Sequence, residues 1–370
     1  MGKSLHVVSF SVPFPANYGG AIDVFYKLKS LSDAGVDITL HCFKYDREAA
    51  IELEAICESV FYYPRKMTCS HLLGFYPFIV GSRGSEELIK NLLMDSSTIL
   101  FEGLHTCMSI VDQRLKNRKK IVRSHNIEHD YYLALAKLER NPIRQFYYKS
   151  EARKLERFEP LAYENADTVL GISKKDTEYL NDKYKNAVHV SAFHGFEFIN
   201  IPEKTEDFSL YHGNLSVGEN NEAAIFLASK VFKGLEQKLI IAGNNPSVKL
   251  QKVVNKLNNV ELKDNLTSDA ISGLIHQAKI NILPTFQSTG IKLKLLAALF
   301  NGAHCLVNNQ MIEGTGLEGV VHIANSVSEF QKKVVELSFG SIGDDEVRMR
   351  EDYLCNFYNS INASKIINLI

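Results

Sequence analysis

The sequence predicts an α/β protein built from two doubly wound parallel-sheet domains in tandem, and three observations lead there. Short apolar runs alternate with helix-patterned stretches, which is the rhythm of βαβ units. That rhythm runs twice, interrupted by a polar stretch at 198–208 that carries Pro202 and shows neither helix nor strand periodicity. Glycine-bearing loops follow strands where the next helix begins, at Gly19-Gly20 and at Gly213. A chain of 370 residues has room for two cores of about 150 to 200 residues each.

The first series opens with a strand at 5–10, a helix at 21–34 and a strand at 36–42. Strands at 98–101, 120–123, 168–170 and 188–190 continue it, giving a domain over 1–197. After the linker, strands are expected at 210–211, 238–242, 260–262, 280–283 and 305–307, with helices near 219, 248, 268 and 292. They make a second domain over 209–342. The remainder, 343–370, reads as helix without a further strand.

Composition narrows the function classes. Hydrophobic residues at 45% and charged residues at 23% suit a globular protein. A formal net charge of −1 gives no general field for nucleic acid, which is not expected as a partner. The cysteines Cys42, Cys57, Cys69, Cys107, Cys305 and Cys355 are scattered and form no C-x-x-C pair, so they read as reduced structural thiols. No histidine stands at metal-site spacing and no D-x-D occurs, so no metal or other cofactor is expected. No leader and no apolar run long enough to span a bilayer is legible, which points to the cytoplasm. Gly314 to Gly319 fits G-x-G-x-x-G, but it leads into the apolar run 320–323 rather than a helix, and a dinucleotide site is set aside.

Four segments carry chemistry. The loop Pro13-Phe14-Pro15-Ala16-Asn17-Tyr18-Gly19-Gly20 ends at the head of a helix, where backbone amides can approach an anion. A tight turn needed for packing explains it equally well. Arg123-Ser124-His125-Asn126-Ile127-Glu128-His129 follows a strand and packs His125 among polar residues at the carboxyl edge of the first sheet. Gly213-Asn214 opens the corresponding loop of the second domain. Ser288-Thr289-Gly290-Ile291-Lys292-Leu293-Lys294 starts a helix directly after a strand. Lysine opposes the helix dipole there, and a diphosphate would neutralise that cost.

In order and spacing these segments resemble glycosyltransferase family 4, over essentially the whole chain. The stretch 12–40 is similar to that family's double-glycine opening, and 123–136 to an H-N-x-E-x-x-Y-Y segment. Ala166-Asp167-Thr168-Val169 with Ser173 resembles A-D-x-V-x-x-x-S, and His194-Gly195-Phe196-Glu197 stands where N-G-V-D occurs. The match continues through Gly213-Asn214, Ile241-Ala242-Gly243 and 289–299.

The resemblance implies a GT-B fold, with two Rossmann-like halves facing a central cleft and final helices crossing back to the first. It implies a retaining, metal-independent transfer from a nucleotide diphosphate sugar to a glycan or lipid-linked acceptor, of the kind used in bacterial cell-surface polysaccharide synthesis. His125 and Lys292 would be catalytic. Gly213, Asn214, Gly243, Ser288, Thr289, Gly290, Lys292 and Lys294 would hold the donor. Asn17, Gly19, Gly20, Arg123, Asn126 and Glu128 would border acceptor and diphosphate. The family's two glutamates, eight positions apart, are replaced by Thr289 and Ala297. That leaves a catalytically impaired nucleotide-sugar-binding homologue as an alternative, beside a GT-B-type sugar-nucleotide epimerase.

Two further segments suggest peripheral contact with the inner face of a membrane. One is the basic, tyrosine-bearing stretch from Arg140 to Arg157; the other is the apolar, aromatic stretch from Leu72 to Val80. A solvated helix face and a partly buried loop account for the same residues.

Overall fold

The computed structural model describes residues 2–286 and 292–370, apart from the side chains of Cys69 and Leu73. The described chain divides into two units, 2–195 with Asn359–Ile370, and 196–286 with Lys292–Tyr358.

The first unit holds seven strands: β1 (Lys3–Ser9), β2 (Val36–Lys44), β3 (Ser59–Pro64), β4 (Thr98–Glu102), β5 (Lys120–Ser124), β6 (Thr168–Gly171) and β7 (Ala187–His189). All pairings are parallel, in the order β3-β2-β1-β4-β5-β6-β7. Strands buried on both faces read as unbroken apolar runs, which is why β4 and β5, buried throughout, are evident in the sequence. The edge strand β3 is only half-buried and ends in Pro64, and the sequence reading misses it. Strand order reverses between β1 and β4, so a ligand crevice is expected outside their carboxyl ends.

Helix Gly19–Asp33 follows β1 and buries Ala21, Val24, Leu28 and Leu31 at helical spacing. It also buries Asp23 and Lys27 on the same face, an arrangement a surface helix does not show without a reason.

The second unit holds β8 (Glu206–His212), β9 (Leu239–Ala242), β10 (Val260–Lys263), β11 (Ala278–Ile282), β12 (His304–Val307) and β13 (His322–Ile323). They form a parallel sheet in the order β10-β9-β8-β11-β12-β13, with its reversal between β8 and β11.

Two boundaries differ from the sequence reading. Glu206, Asp207 and Phe208, assigned there to the linker, begin β8; the two acidic residues project into solvent before burial starts at Phe208. The final helices part company. Helix Asp344–Leu354 stays in the second unit, where Leu354 is buried and Arg350 donates to the carbonyls of Gly302 (2.7 Å) and Ala303 (2.9 Å). Helix Asn359–Ile367 belongs to the first unit, where Ala363 and Ile366 join its core and Asn362 accepts from the Ser191 amide at 3.2 Å.

The basic and aromatic stretches are packed together. The Lys154 ammonium, on helix Pro142–Glu164, donates to the Leu72 carbonyl (2.8 Å), and buried Glu151 accepts from the Phe78 amide (2.6 Å). Phe75 and Phe146 remain exposed, at 81% and 73%. Among the described residues, no helix is long and apolar enough to cross a membrane.

Candidate functional site

At the reversal point of the first sheet, five ionisable side chains meet under the carboxyl ends of β4 and β5. Lys27 donates to Glu102 (2.7 and 2.8 Å) and to Asp23 (2.9 Å), its i−4 neighbour on the helix. Arg123 donates to Asp23 at 3.1 Å, and His125 Nε2 lies 3.1 Å from Glu102 and 3.6 Å from Asp23. Asp23, Lys27, Glu102 and Arg123 are fully buried, whereas His125 retains 7% exposure.

Buried charges persist only when compensated, and here two carboxylates meet two permanent cations. Burial would raise the Asp23 carboxyl, but Arg123, Lys27 and His125 hold it well below the usual range. Glu102 is likewise held low, against burial, by Lys27 and by the His125 hydrogen bond. With Nε2 bonded to carboxylate, the Nε2 proton of His125 is fixed, and among the described residues no hydrogen bond engages Nδ1.

The residues around this cluster sort into lining and support. Phe10 meets His125 edge-on at 5.5 Å, and a Cβ on Gly20 would come within 2.7 Å of the Phe10 ring. Gly20 is therefore glycine because Phe10 fills the space, which favours the packing explanation of the double-glycine loop. Gly19 is the first residue of the helix. Asn17 is exposed and accepts from Arg47, which also donates to the Pro15 carbonyl at 2.7 Å and stacks on Tyr18 at 4.6 Å.

Two expected contact residues are enclosed instead. Besides Asp23, Arg123 donates to the carbonyls of Val190 and Ser191, so all its donors point inward. Glu128 is 3% exposed, and its carboxyl is pushed up to about 8 by burial and by Glu159, against a hydrogen bond with half-buried Asn126. Both residues support the site from inside. The sequence reading missed Asp23, Lys27 and Glu102. A charge closing an apolar strand, as in Thr98-Ile99-Leu100-Phe101-Glu102, is the signal that could have found Glu102.

The second unit carries a different cluster at its own reversal point. β8 ends in Tyr211 and His212, and the loop through Gly213 and Asn214 leads into helix Gly218–Phe226. A Cβ on Gly243 would lie 1.9 Å from the Gly213 carbonyl, so the two loops approach as closely as backbone allows. Asn220 donates to the Asn214 carbonyl (3.0 Å) and accepts from Lys294 (2.6 Å). Lys294 also lies over the Tyr211 ring at 5.5 Å.

Thr285, after β11, donates its hydroxyl to Glu219, and its backbone exchanges bonds of 3.0 and 2.6 Å with the Asn308 amide. Lys292 is the N-cap residue of helix Leu293–Asn301 and Lys294 lies in its first turn. Burial, with the Lys292 charge, pushes the Lys294 ammonium down to about 8, although Glu219 pulls it up. Burial and the Lys294 charge also push His212 down to about 3.

Lys292, Lys294, Gly213, Asn214 and Gly243 are thus gathered in one region. Ser288, Thr289 and Gly290 lie outside the described residues. Ala297 is buried, so its side chain contributes to the core. Glu219 and Asn220 fall in the glycine-bearing loop read from the sequence but were given no role there, and Thr285 and Asn308 were not singled out.

No protein-family profile matches the chain. A 44.6 kDa protein in a cps region of Klebsiella pneumoniae is 28% identical to it over 361 residues, 92% of each chain. A TarM variant of S. aureus, solved with fondaparinux, alpha-GlcNAc-glycerol and UDP, superposes with a TM-score of 0.65 at 12% identity, covering 100% of this chain and 99% of its own. The UDP-forming alpha,alpha-trehalose-phosphate synthase of Burkholderia xenovorans, solved with glucose-6-phosphate, gives 0.65 at 9% identity over 99% of each chain. With two parallel-sheet units matched end to end, the fold is GT-B.

Proposed function

We propose that the chain is a glycosyltransferase that moves a sugar from a nucleotide diphosphate sugar to a glycan or lipid-linked acceptor, with retention and without a metal in the transfer step. The observation that carries this reading is Lys294. It is a partly buried ammonium at a helix start, beside a second lysine and under a glycine-rich loop at the reversal point of a GT-B donor-type sheet. Burial and a neighbouring lysine disfavour the Lys294 charge beyond what Glu219 offsets, so a further anion would stabilise it. A diphosphate supplies that anion. The relative in a cps region and the UDP-bound GT-B neighbour support a nucleotide-sugar donor and a role in polysaccharide assembly.

In the proposed reaction the bond from the sugar C1 to the diphosphate oxygen breaks and a C1–oxygen bond to the acceptor forms on the same face. The acceptor's proton passes to the leaving phosphate. Lys292 and Lys294 stabilise the charge that develops on that phosphate. His125, held through Nε2 by Glu102, offers Nδ1 to a hydroxyl of the transferred sugar. Glu219, whose charge acts on Lys294, takes the place of the family's ribose-binding glutamate. Phe75 and Phe146, on adjoining basic and aromatic segments, provide the contact with a membrane that presents the acceptor.

Thermal-shift measurements with nucleoside diphosphates and their sugars test the reading. A saturating diphosphate is expected to raise the melting temperature of the native chain and not of Lys294→Met. If no nucleotide stabilises the native chain, the reading fails. Co-sedimentation with anionic liposomes tests the membrane contact: binding should fall in Phe75→Ser/Phe146→Ser, and no binding at low salt rejects it.

A further inference from the structure

At the opposite end of the second sheet lies a cluster unrelated to the phosphate region. His304 is the first residue of β12 and His322 the first of the edge strand β13. Leu306 is in register with His322, and side chains two apart share a face, so His304 and His322 project from the same face as diagonal neighbours. Across that face, helix Asp344–Leu354 contributes Glu346 in its first turn. One ligand atom from each of the three residues falls within 4.8 Å of the others.

The spacing is the informative part. His322 Nε2 lies 3.3 Å from His304 Nδ1. Two nitrogens bound to one tetrahedral zinc at about 2.0 to 2.1 Å stand about 3.3 to 3.4 Å apart. The imidazoles share at most one hydrogen bond, and the other His304 nitrogen, Nε2, faces the Gly340 backbone, so Nδ1 of His304 and Nε2 of His322 are the atoms placed to meet an ion. Glu346 places a carboxylate beside the two rings. His304 also lines a pocket of about 690 Å³ with Asp344 and Gly340.

Asp23, Glu102 and His125 meet the same distance requirement. There, however, Lys27 and Arg123 already occupy the positions facing the carboxylates.

We propose that His304, His322 and Glu346 form a binding site for a divalent transition metal of the zinc class. Two neutral imidazoles and a carboxylate select zinc or cobalt over magnesium, which demands an oxygen-rich octahedral shell. Since His304 and His322 begin their strands, the ion ties the sheet edge to helix Asp344–Leu354 and takes no part in the transfer step.

The test uses the full-length, untagged chain, stripped with a chelator and titrated with Zn²⁺ alone. One equivalent is expected to bind and to raise the melting temperature, and Co²⁺ is expected to give the visible absorption of a tetrahedral site. Mg²⁺ should give neither. His322→Asn and Glu346→Gln are both solvent-accessible changes. Each should weaken Zn²⁺ binding by about tenfold or more, while far-ultraviolet dichroism and the metal-free melting temperature stay as in the native chain. Failure to take up Zn²⁺, an equal response to Mg²⁺, or unchanged Zn²⁺ affinity in both variants would overturn the proposal. No nucleotide is present in these titrations, so their result stands apart from the glycosyltransferase reading.

Discussion

The two reversal-point clusters occupy equivalent places in their sheets and are built on opposite principles. In the first unit, Asp23 and Glu102 face Lys27 and Arg123, so the charges close on themselves and only His125 reaches the surface. In the second, two lysines stand beside Glu219, with Asn220, Thr285 and Asn308 holding the frame. The first arrangement is complete without a ligand and serves to aim one ring. The second gathers its lysines at a helix start, where the proposed diphosphate would sit. Pre-organisation and charge complementation are thus divided between the two halves of one fold.

The largest effect should come from opening the closed network. Lys27→Met leaves two buried carboxylates facing one guanidinium, and should lower unfolding free energy by about 3 to 5 kcal/mol in urea titrations. A loss below 1 kcal/mol would mean that the network is not sealed.

Next is Lys294→Met, which should remove the stabilisation of about 2.7 kcal/mol that a diphosphate gives at 100 times its dissociation constant. The pH dependence sharpens the same point. Lys294 titrates near 8 in the folded chain against an ordinary 10.5. Between those values the unfolded chain holds a proton that the folded chain has released, so native stability should rise with pH across that window. Lys294→Met should flatten the rise. Diphosphate affinity should move the other way, falling as pH passes about 8. A pH-independent affinity would place the anion elsewhere.

His125→Asn should reduce turnover by about 3- to 10-fold, the equivalent of one hydrogen bond to a sugar hydroxyl, and leave the diphosphate-induced thermal shift intact. Loss of both together would show that the ring also holds the fold. Gly213→Ala should be the mildest, since its new Cβ meets the Asn220 side-chain amide at 3.2 Å. A loss of under about 1 kcal/mol is expected, with weaker nucleotide binding as Lys294 loses its acceptor. An unaffected affinity would remove Asn220 from the site.

Most of the central architecture was legible because strands buried on both faces leave unbroken apolar runs, as in Leu239 to Ala242. Edge strands β3 and β13 were not, since half-burial dilutes the pattern and two residues carry no periodicity. The site was legible where a residue type is unusual for its place, as with Lys292 and Lys294 at a helix start. It was illegible where an ordinary pattern hides an unusual burial. Asp23 and Lys27 have the spacing of a surface i,i+4 pair, and only the fold reveals that both are fully enclosed. Arg123 failed in the opposite sense: a polar strand end suggested a contact residue, and its donors turned out to be spent on the core.

The split of the first unit around the second has a consequence for biosynthesis. A ribosome completes Phe196 to Tyr358 before it supplies Asn359 to Ile370. The second unit can therefore finish folding while the first still exposes the apolar surface that Ala363 and Ile366 cover, and while the Ser191 amide waits for Asn362. The half that emerges first is the half completed last. Its closing step falls on a single short helix, whose loss would leave the earliest-made domain open to proteases and chaperones.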